Sequence, residues 1–508
     1  MTQHAPVFIV LLPLTGSLLC MLFSRISRNL GSYIVMASIA GAFASACLVL
    51  QHVLENGGAT WHYMMGGWLP PIGIEFALDP LNSILAVLVT FISMLVSLYS
   101  RPFVKDEDWL HVGGYYTLFG LLTVGLSGMI ITGDVFNLYV YLEIMSLSGY
   151  ALIALGGRKS MLAAFRYLLI GTIGASLYLL GVGYLYAMTG TLNMADLAQL
   201  IIPHLHSPLF AMAVACFLIG FGIKMALFPL HGWQPDAYTY AHPGAAAFIA
   251  GLMSKAPAYA LIRFIYYIFQ VDNPVVESAL NVLGILGVCG ILIGSVMAMA
   301  QYDFRRMLAY SSVAQIGYIA IGLAMGNMYG FIGAVMHIIN HAFMKSSLFL
   351  VIGGIQYRFG EVNLYRLGGL NKKMAISSIT VALAALSMIG LPPTCGFFSK
   401  WYLMLGAYTG GEYFYIFVLV ISSLLNAIYF FRIIEQMFVQ REASLTEVHP
   451  HKGKLGLPLP MVIPILIMGI MIIALGFGNA TIVTDVIKLG LPGVFLLSLI
   501  HLRRCRRS

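Results

Sequence analysis

Apolar runs of about twenty residues, parted by short polar loops, recur from one end of the chain to the other. At about 1.5 Å per residue, a helical run of that length crosses the roughly 30 Å hydrocarbon core of a bilayer. Length and flanking loops predict spans at 7–23, 31–53, 77–100, 112–132, 134–156, 161–188, 208–229, 243–271, 277–299, 307–326, 328–356, 375–408, 413–433 and 459–477. A weaker stretch at 484–501 would make a fifteenth, although Asp485, Lys488 and the Gly490-Leu491-Pro492-Gly493 turn make it a poor helix. The expected fold is therefore an all-α polytopic membrane protein of about 14 transmembrane helices, or 15 if the last stretch counts. Met1 to Pro6 carry no Lys or Arg, so the first run reads as a retained span and not as a secretory signal.

Composition agrees: 60% of the 508 residues are hydrophobic and 9% charged, against about 25% charged in a soluble domain. The basic residues alternate from loop to loop. Arg25 and Arg28 follow the first span, Arg101 and Lys105 the third, Arg158 and Lys159 the fifth, Arg305 and Arg306 the ninth. Arg358, Arg366, Lys372 and Lys373 follow the eleventh, and Arg441, Lys452 and Lys454 the thirteenth, while the intervening loops have none until Lys488. This predicts an N-terminus outside a cell (inner) membrane, and it ties the formal charge of +8 to topology, with no nucleic-acid partner implied. The six cysteines (Cys20, Cys47, Cys216, Cys289, Cys395 and Cys505) show no CxxC or paired spacing, so no disulfide, zinc or iron–sulfur site is expected.

Against this background Glu143, Lys224, Lys255, Lys345 and Lys400 stand out, each deep in an apolar run. A charge at the bilayer centre costs about 2.5–3.5 kcal/mol, so the five together would cost roughly 12–17 kcal/mol, comparable with the stability of a whole domain. The structural reading is one ion pair between Glu143 and a lysine. It leaves three lysines without a deep carboxylate in this chain. Burial disfavours an ammonium and a nearby carboxylate restores it, so such lysines can take up and release protons as their neighbours change. Sodium wants several oxygen ligands, and Glu143 is the only deep carboxylate; Asp79 and Asp134 near span ends read as interfacial caps. Two spans are also interrupted, the seventh at Pro229 after Lys224 and the twelfth at Pro392 and Pro393 before Lys400. Proline frees backbone carbonyls at membrane depth, which is tolerated only inside protein or beside a wet cavity. The two breaks lie five spans apart. Five is odd, so the second copy runs in the opposite direction, as in an inverted repeat of a transporter. His337, His341 and Lys345 fall at i, i+4 and i+8 on one helical stripe. A metal pair, a hydrogen-bonded packing role and a proton relay all fit that spacing, and the lack of an acidic or cysteine neighbour in sequence weighs against metal. Arg263 reads as a snorkelling or subunit-pairing residue, Arg166 as an inner-face anchor, the His204/His206 pair as a solvated loop, and Trp61, Trp68 and Trp109 as interface residues.

The stretches GDVFNLYVYLEIMSLSGYALIAL, GIKMALFPLHGWQPDAYTYAHPGAAAFIAGLMSKAPAYALIRF, HxxxHxxxK and IGLPPTCGFFSKW resemble the antiporter-like subunits shared by respiratory complex I, Mrp cation/proton antiporters and membrane-bound hydrogenases, the Mrp D-type subunit above all. The resemblance covers about residues 75 to 435. It implies a 14-span fold with a five-span inverted repeat: N-terminal helices in 1–110, one repeat in 111–271, its inverted partner in 272–435, and a loop, last helix and basic tail in 436–508. It also implies a proton half-channel in each repeat. In that pattern Glu143 tunes Lys224, Lys255 connects the halves, His337, His341 and Lys345 lie on a central polar axis, and Lys400 ends the pathway. Gln234 and Tyr238 depart from the PLHxWLPDAH-like segment of the family. The tail beyond about 440 takes no part in this resemblance. The implied partners are other membrane subunits of a Mrp-type or complex I/hydrogenase-type assembly, with protons and, in a Mrp-type complex, sodium as ions. No nucleotide loop, flavin fingerprint or cluster ligand set is present, so no cofactor and no redox chemistry are expected of this chain. The rival readings are a solute carrier, for which the breaks offer no recognition groups beyond lysine, and a silent scaffold, which has no reason to bear the cost of buried charges.

Overall fold

A computed structural model describes residues 2–269, 271–360, 363–440 and 456–495. Arg441, Lys452, Lys454, Cys505, the 503–507 basic tail and the last part of the 484–501 stretch lie outside the described residues. Among the described residues, thirteen helices are long and apolar enough to cross a membrane. They are Ala5–Ser24, Asn29–Glu55, Pro80–Val104, Trp109–Ile131, Val135–Ala154, Arg158–Thr189, Pro208–Met225, Pro243–Ile268, Pro274–Met299, Phe304–Ala324, Met328–Phe359, Tyr413–Phe438 and Leu459–Phe477. These are spans one to eleven, thirteen and fourteen. The twelfth is two half-helices, Ala375–Ile389 and Cys395–Thr409. The described part of the fifteenth candidate begins inside a short π-helical stretch, Ile482–Ile487, turns at 488–490 and is helical again at 493–495.

The chain also holds a structure the apolar pattern does not announce. Trp61–Met64 pairs antiparallel with Glu75–Leu78, so Trp61 belongs to a hairpin strand and residues 77–78 to its partner. The third span begins only at Pro80, where Asp79 accepts from Asn82 N (2.9 Å). Asp134 does the same for the fifth span, accepting from Asn137 N (2.6 Å). A carboxylate at an N-terminus satisfies backbone donors that have no partner in the helix, so both aspartates are caps, as expected.

The apolar windows of the eighth and eleventh spans are wholly buried, whereas two-thirds of the window in the second and thirteenth is not. The spans that carry Lys255 and Lys345 thus lie at the centre of the bundle, and the second and thirteenth at its rim. Packing follows a pattern in sequence: the fourth and fifth spans pack together, as do the fifth and sixth and the sixth and seventh. Five spans later the ninth packs on the tenth, the tenth on the eleventh, and the eleventh on the second half of the twelfth.

Candidate functional site

Three spans, not two, are interrupted at the centre. The seventh leaves its helix at Met225, where Ala226 takes a left-handed conformation (φ 62°), so the expected end at 229 is too late. Residues 226–233 are non-helical before Gln234–Tyr240 resumes. The twelfth ends its first half at Ile389, with Gly390 left-handed (φ 94°). The eighth, expected to be continuous, divides into Pro243–Leu252 and Lys255–Arg263 around Met253 and Ser254. Each break leaves carbonyls without an intrahelical donor, and in a buried setting these must be met by other groups. In the seventh span the Trp233 indole donates to Ile223 O (2.9 Å), with its ring stacked on Tyr167 (3.6 Å). In the eighth, Lys255 Nζ donates to Ala250 O (2.6 Å). In the twelfth, Lys400 Nζ donates to Met388 O (2.9 Å), Ile389 O (2.9 Å) and Ser423 Oγ (3.1 Å). A cation is favoured at a helix C-terminus by the carbonyl dipoles gathered there, so Lys255 and Lys400 are seated by the breaks themselves.

Lys224 has a different seat. Its ammonium donates to Ser146 Oγ (2.6 Å) and Tyr150 Oη (3.3 Å) of the fifth span. Ser146 passes the contact on by donating to Leu142 O (2.6 Å). Glu143, Ser146 and Tyr150 sit at i, i+3 and i+7 on one stripe. Glu143 shares the stripe whose Ser146 and Tyr150 meet Lys224, but none of the ion pairs among the described residues involves Glu143 or any of the four lysines. Lys345 Nζ donates to Leu308 O of the tenth span (2.8 Å). Lys224, Lys255, Lys345 and Lys400 are each at most 4% exposed. Four buried ammonium groups are thus held entirely by hydroxyls and backbone oxygens.

The histidines lie between these seats. His337 and His341 are stacked with ring centroids 5.8 Å apart, and His337 Nδ1 is 3.0 Å from Ser399 Oγ, next in sequence to Lys400. His337 Nε2 and both ring nitrogens of His341 are buried and meet no protein partner. The eighth and eleventh spans are joined by Ser346, which donates to Ala247 O (3.2 Å). Around Lys400 lies a network that sequence reasoning missed. Its ammonium sits 5.0 Å from the Tyr318 ring centroid, and the Tyr318 hydroxyl donates to Ser422 Oγ (2.7 Å). Tyr429 donates to Asn426 Oδ1 (2.5 Å), and Asn426 Nδ2 lies 3.4 Å from both Tyr318 Oη and Met388 O. Ser146 and Tyr150 were missed for the same reason: hydroxyls are common in helices, and their partners lie in other spans. Asn426 and Gln315, buried amides within apolar runs, were the legible signal.

Arg305, expected in a loop, is 4% exposed and donates to Thr239 O (3.2 Å) and Ala241 O (3.4 Å). Arg166 pairs with Asp236 (3.0 Å). Arg263 pairs within the chain with Asp79, so it neither snorkels free nor needs another subunit. His204 ends a short 3-10 turn, Ile202–His204. Among the described residues no group of three or more His, Cys, Asp or Glu is placed to hold a metal ion.

Residues 132–426 match the family model described as NADH:quinone oxidoreductase/Mrp antiporter, TM, and residues 68–128 that of NADH-Ubiquinone oxidoreductase (complex I), chain 5 N-terminus. The chain is 47% identical to the NADH-quinone oxidoreductase subunit N of Desulforudis audaxviator over 97% of its own length and 99% of that protein's. It is 32% identical to the D-type subunit of the Na(+)/H(+) antiporter of Bacillus subtilis, covering 90% and 91% of the two chains. Among solved structures it matches a chain of the archaeal membrane-bound sulfane sulfur reductase with a TM-score of 0.88 and 29% identity, over 96% of this chain and 97% of that one. A chain of the Mrp complex from Dietzia sp. DQ12-45-1b matches with a TM-score of 0.83 and 25% identity, over 95% of each. This helical membrane protein, with its interrupted spans and buried lysines, belongs to the NADH:quinone oxidoreductase/Mrp antiporter transmembrane family.

Proposed function

We propose that the chain moves protons across the membrane as one subunit of a larger complex, with Glu143, Lys224, Lys255, His337, His341, Lys345 and Lys400 as the pathway. One observation carries the reading: four buried lysines without a carboxylate partner, seated on hydroxyls and backbone carbonyls, with a stacked histidine pair buried in the same core. Such seats bind an ammonium by hydrogen bonds alone, and neutral amine and ammonium can exchange there without breaking an ion pair. The breaks of the seventh and twelfth spans, five spans apart and each beside a buried lysine, support an inverted repeat of 111–271 against 272–435, between N-terminal helices (1–110) and a C-terminal segment (436–508). The alternating basic loops support an N-terminus outside and an inner-membrane location.

Two assemblies fit this reading. A Mrp-type antiporter is supported by the resemblance to D-type subunits and by the Dietzia match. A redox-driven complex is supported by the 47% identity to the oxidoreductase relative and by the sulfane sulfur reductase match. Purifying the tagged chain with its partners separates them: iron–sulfur or quinone-reductase subunits mark the second, and small hydrophobic subunits alone the first. The test of the shared function is Glu143→Gln and Lys224→Ala in the assembled complex. Both are expected to suppress proton movement and growth under salt or alkaline stress. Unchanged transport in a normally assembled complex would leave the chain a scaffold.

A further inference from the structure

Arg263 takes no part in the pathway above, yet it stands on the same helix as Lys255. Lys255, Tyr259 and Arg263 recur every four residues and so form one stripe of the eighth span. Eight residues advance a helix by about 12 Å, most of the ~15 Å from the middle of a bilayer to the edge of its hydrocarbon core. The stripe therefore runs from the central lysine to the outer face, in the orientation proposed above.

Three polar side chains lie along it, and the first two share a cavity with otherwise apolar walls. Lys255 and Tyr259 line one small cavity of about 10 Å³, walled by Leu85, Leu88, Val89 and Ile338, on the order of one water-sized space. The Tyr259 hydroxyl accepts from Arg263 Nε (2.5 Å), and Arg263 is ion-paired with Asp79. Arg263 and Asp79 in turn line a second cavity of about 330 Å³ with His62, Glu75 and Thr132. Glu75 is held there by His62 Nδ1 (2.9 Å) and Asn193 Nδ2 (2.7 Å). A clamp joining the third and eighth spans would need only Arg263 and Asp79. The tyrosine hydroxyl placed between that pair and the lysine cavity is superfluous to a clamp and suited to passing a proton.

We propose that Lys255, Tyr259 and Asp79 form a proton route along the eighth span to the outer face, with Arg263 as its lock. The route rests on the proton-moving function proposed above. A guanidinium does not give up its proton in a protein, so Arg263 blocks while it holds Asp79 and opens the route when it swings aside. The Lys255 ammonium then gives one proton to the Tyr259 hydroxyl, which passes its own to the freed Asp79 carboxylate. The resulting acid releases that proton into the outer cavity, and the carboxylate takes Arg263 back.

The experiment uses vesicles carrying the intact complex and follows both energised proton movement and the passive decay of an imposed pH gradient. Tyr259→Phe is expected to slow energised movement at least about tenfold, as loss of a positioned proton-transfer group does. Arg263→Gln is expected to speed passive decay several-fold, and Tyr259→Phe added to it to abolish that leak. Wild-type transport in Tyr259→Phe, or an undiminished leak in the double variant, overturns the route. Should Arg263→Gln fail to assemble, Asp79→Asn, which keeps an acceptor for the helix cap, is expected to slow transport, and a wild-type rate there overturns it equally. Lys224→Ala separates the two levels: if it stops transport while Tyr259→Phe does not, only the outer route fails, and if neither matters the underlying function fails.

Discussion

Removing the Ser146 hydroxyl tests the seat of Lys224 without touching any charge. The Lys224 ammonium has two side-chain acceptors, Ser146 Oγ at 2.6 Å and Tyr150 Oη at 3.3 Å, and no ion pair. A hydrogen bond to a charged group is worth about 1.5–3 kcal/mol, and the shorter contact is the stronger of the two. Ser146→Ala leaves the ammonium with Tyr150, which sits beyond optimal distance with its ring centroid 5.8 Å away. The charged state of the lysine therefore loses at least about 1.4 kcal/mol, a factor of roughly ten. On the proposed function, proton movement through the assembled complex is expected to fall about tenfold in Ser146→Ala. Tyr150→Phe, which removes the longer bond, is expected to cost only about twofold to fivefold, near the 0.5–1 kcal/mol of a weak hydrogen bond. The assay is initial proton movement in vesicles, normalised to the amount of complex. The reasoning is refuted if Ser146→Ala transports like wild type while Lys224→Ala does not, or if Tyr150→Phe is the more damaging of the two.

Two further outcomes are expected of the fold. Gly396 lies where the half-helices of the twelfth span meet, and a Cβ there would overlap the Ser387 carbonyl oxygen. That backbone cannot yield as a flexible side chain would, so Gly396→Ala is expected to lower stability by about 1–3 kcal/mol or more, read as a lower unfolding temperature of the purified complex; an unchanged temperature would show that the break can relax. His242 caps the eighth span by accepting from Gly244 N through Nδ1 (3.2 Å), and burial, with Arg305 nearby, pushes its pKa down to about 4. The folded ring then refuses a proton that the unfolded ring binds below about 6.5. Stability should therefore fall as pH drops from about 6.5 to 4 and lose no more from this group below that. His242→Asn, which keeps a cap acceptor but cannot titrate, should flatten that slope in unfolding measured against pH.

The spans were legible because twenty apolar residues have few other uses, and the buried lysines because their cost is visible in one dimension. The breaks were legible only as neighbourhoods. Proline marks the region, but the chain leaves its helix earlier, at Ala226 and Gly390. A glycine there can be anticipated; an alanine with φ 62° cannot, because local preference opposes it and only tertiary packing imposes it. The break at Met253 and Ser254 did carry a signal, since Pro257 falls in the first turn of Lys255–Arg263, where proline is tolerated. The hairpin before the third span escaped because the apolar run of its second strand joins directly to the helix. The partners of the lysines escaped for a deeper reason: Ser146, Tyr150 and Ser423 are ordinary in their own spans and acquire meaning only from a neighbour in another.

The two interrupted spans that looked alike in sequence seat their lysines on chemically different groups. Lys400 is held by two carbonyls at the end of a half-helix, a partial negative charge of about half a unit that is fixed by the backbone and cannot be neutralised. Lys224 is held by hydroxyls, with Glu143 one helical turn from its nearest contact, Ser146. A carboxylate can be neutralised by a proton or by a cation from a neighbouring subunit, and that change alters how strongly Lys224 holds its own charge. On the proposed function the two halves therefore respond to different stimuli. Lys224 answers to events at Glu143 without any movement of the backbone. The two carbonyls can keep both N–H groups of the neutral Lys400 amine while the third proton leaves toward Ser423 Oγ, so changing how strongly Lys400 holds that proton requires a side-chain or half-helix displacement. Coupling between the halves must then pass from an electrostatic change to a mechanical one, and the stacked His337 and His341, with Ser399 beside Lys400, occupy the place where that conversion has to happen.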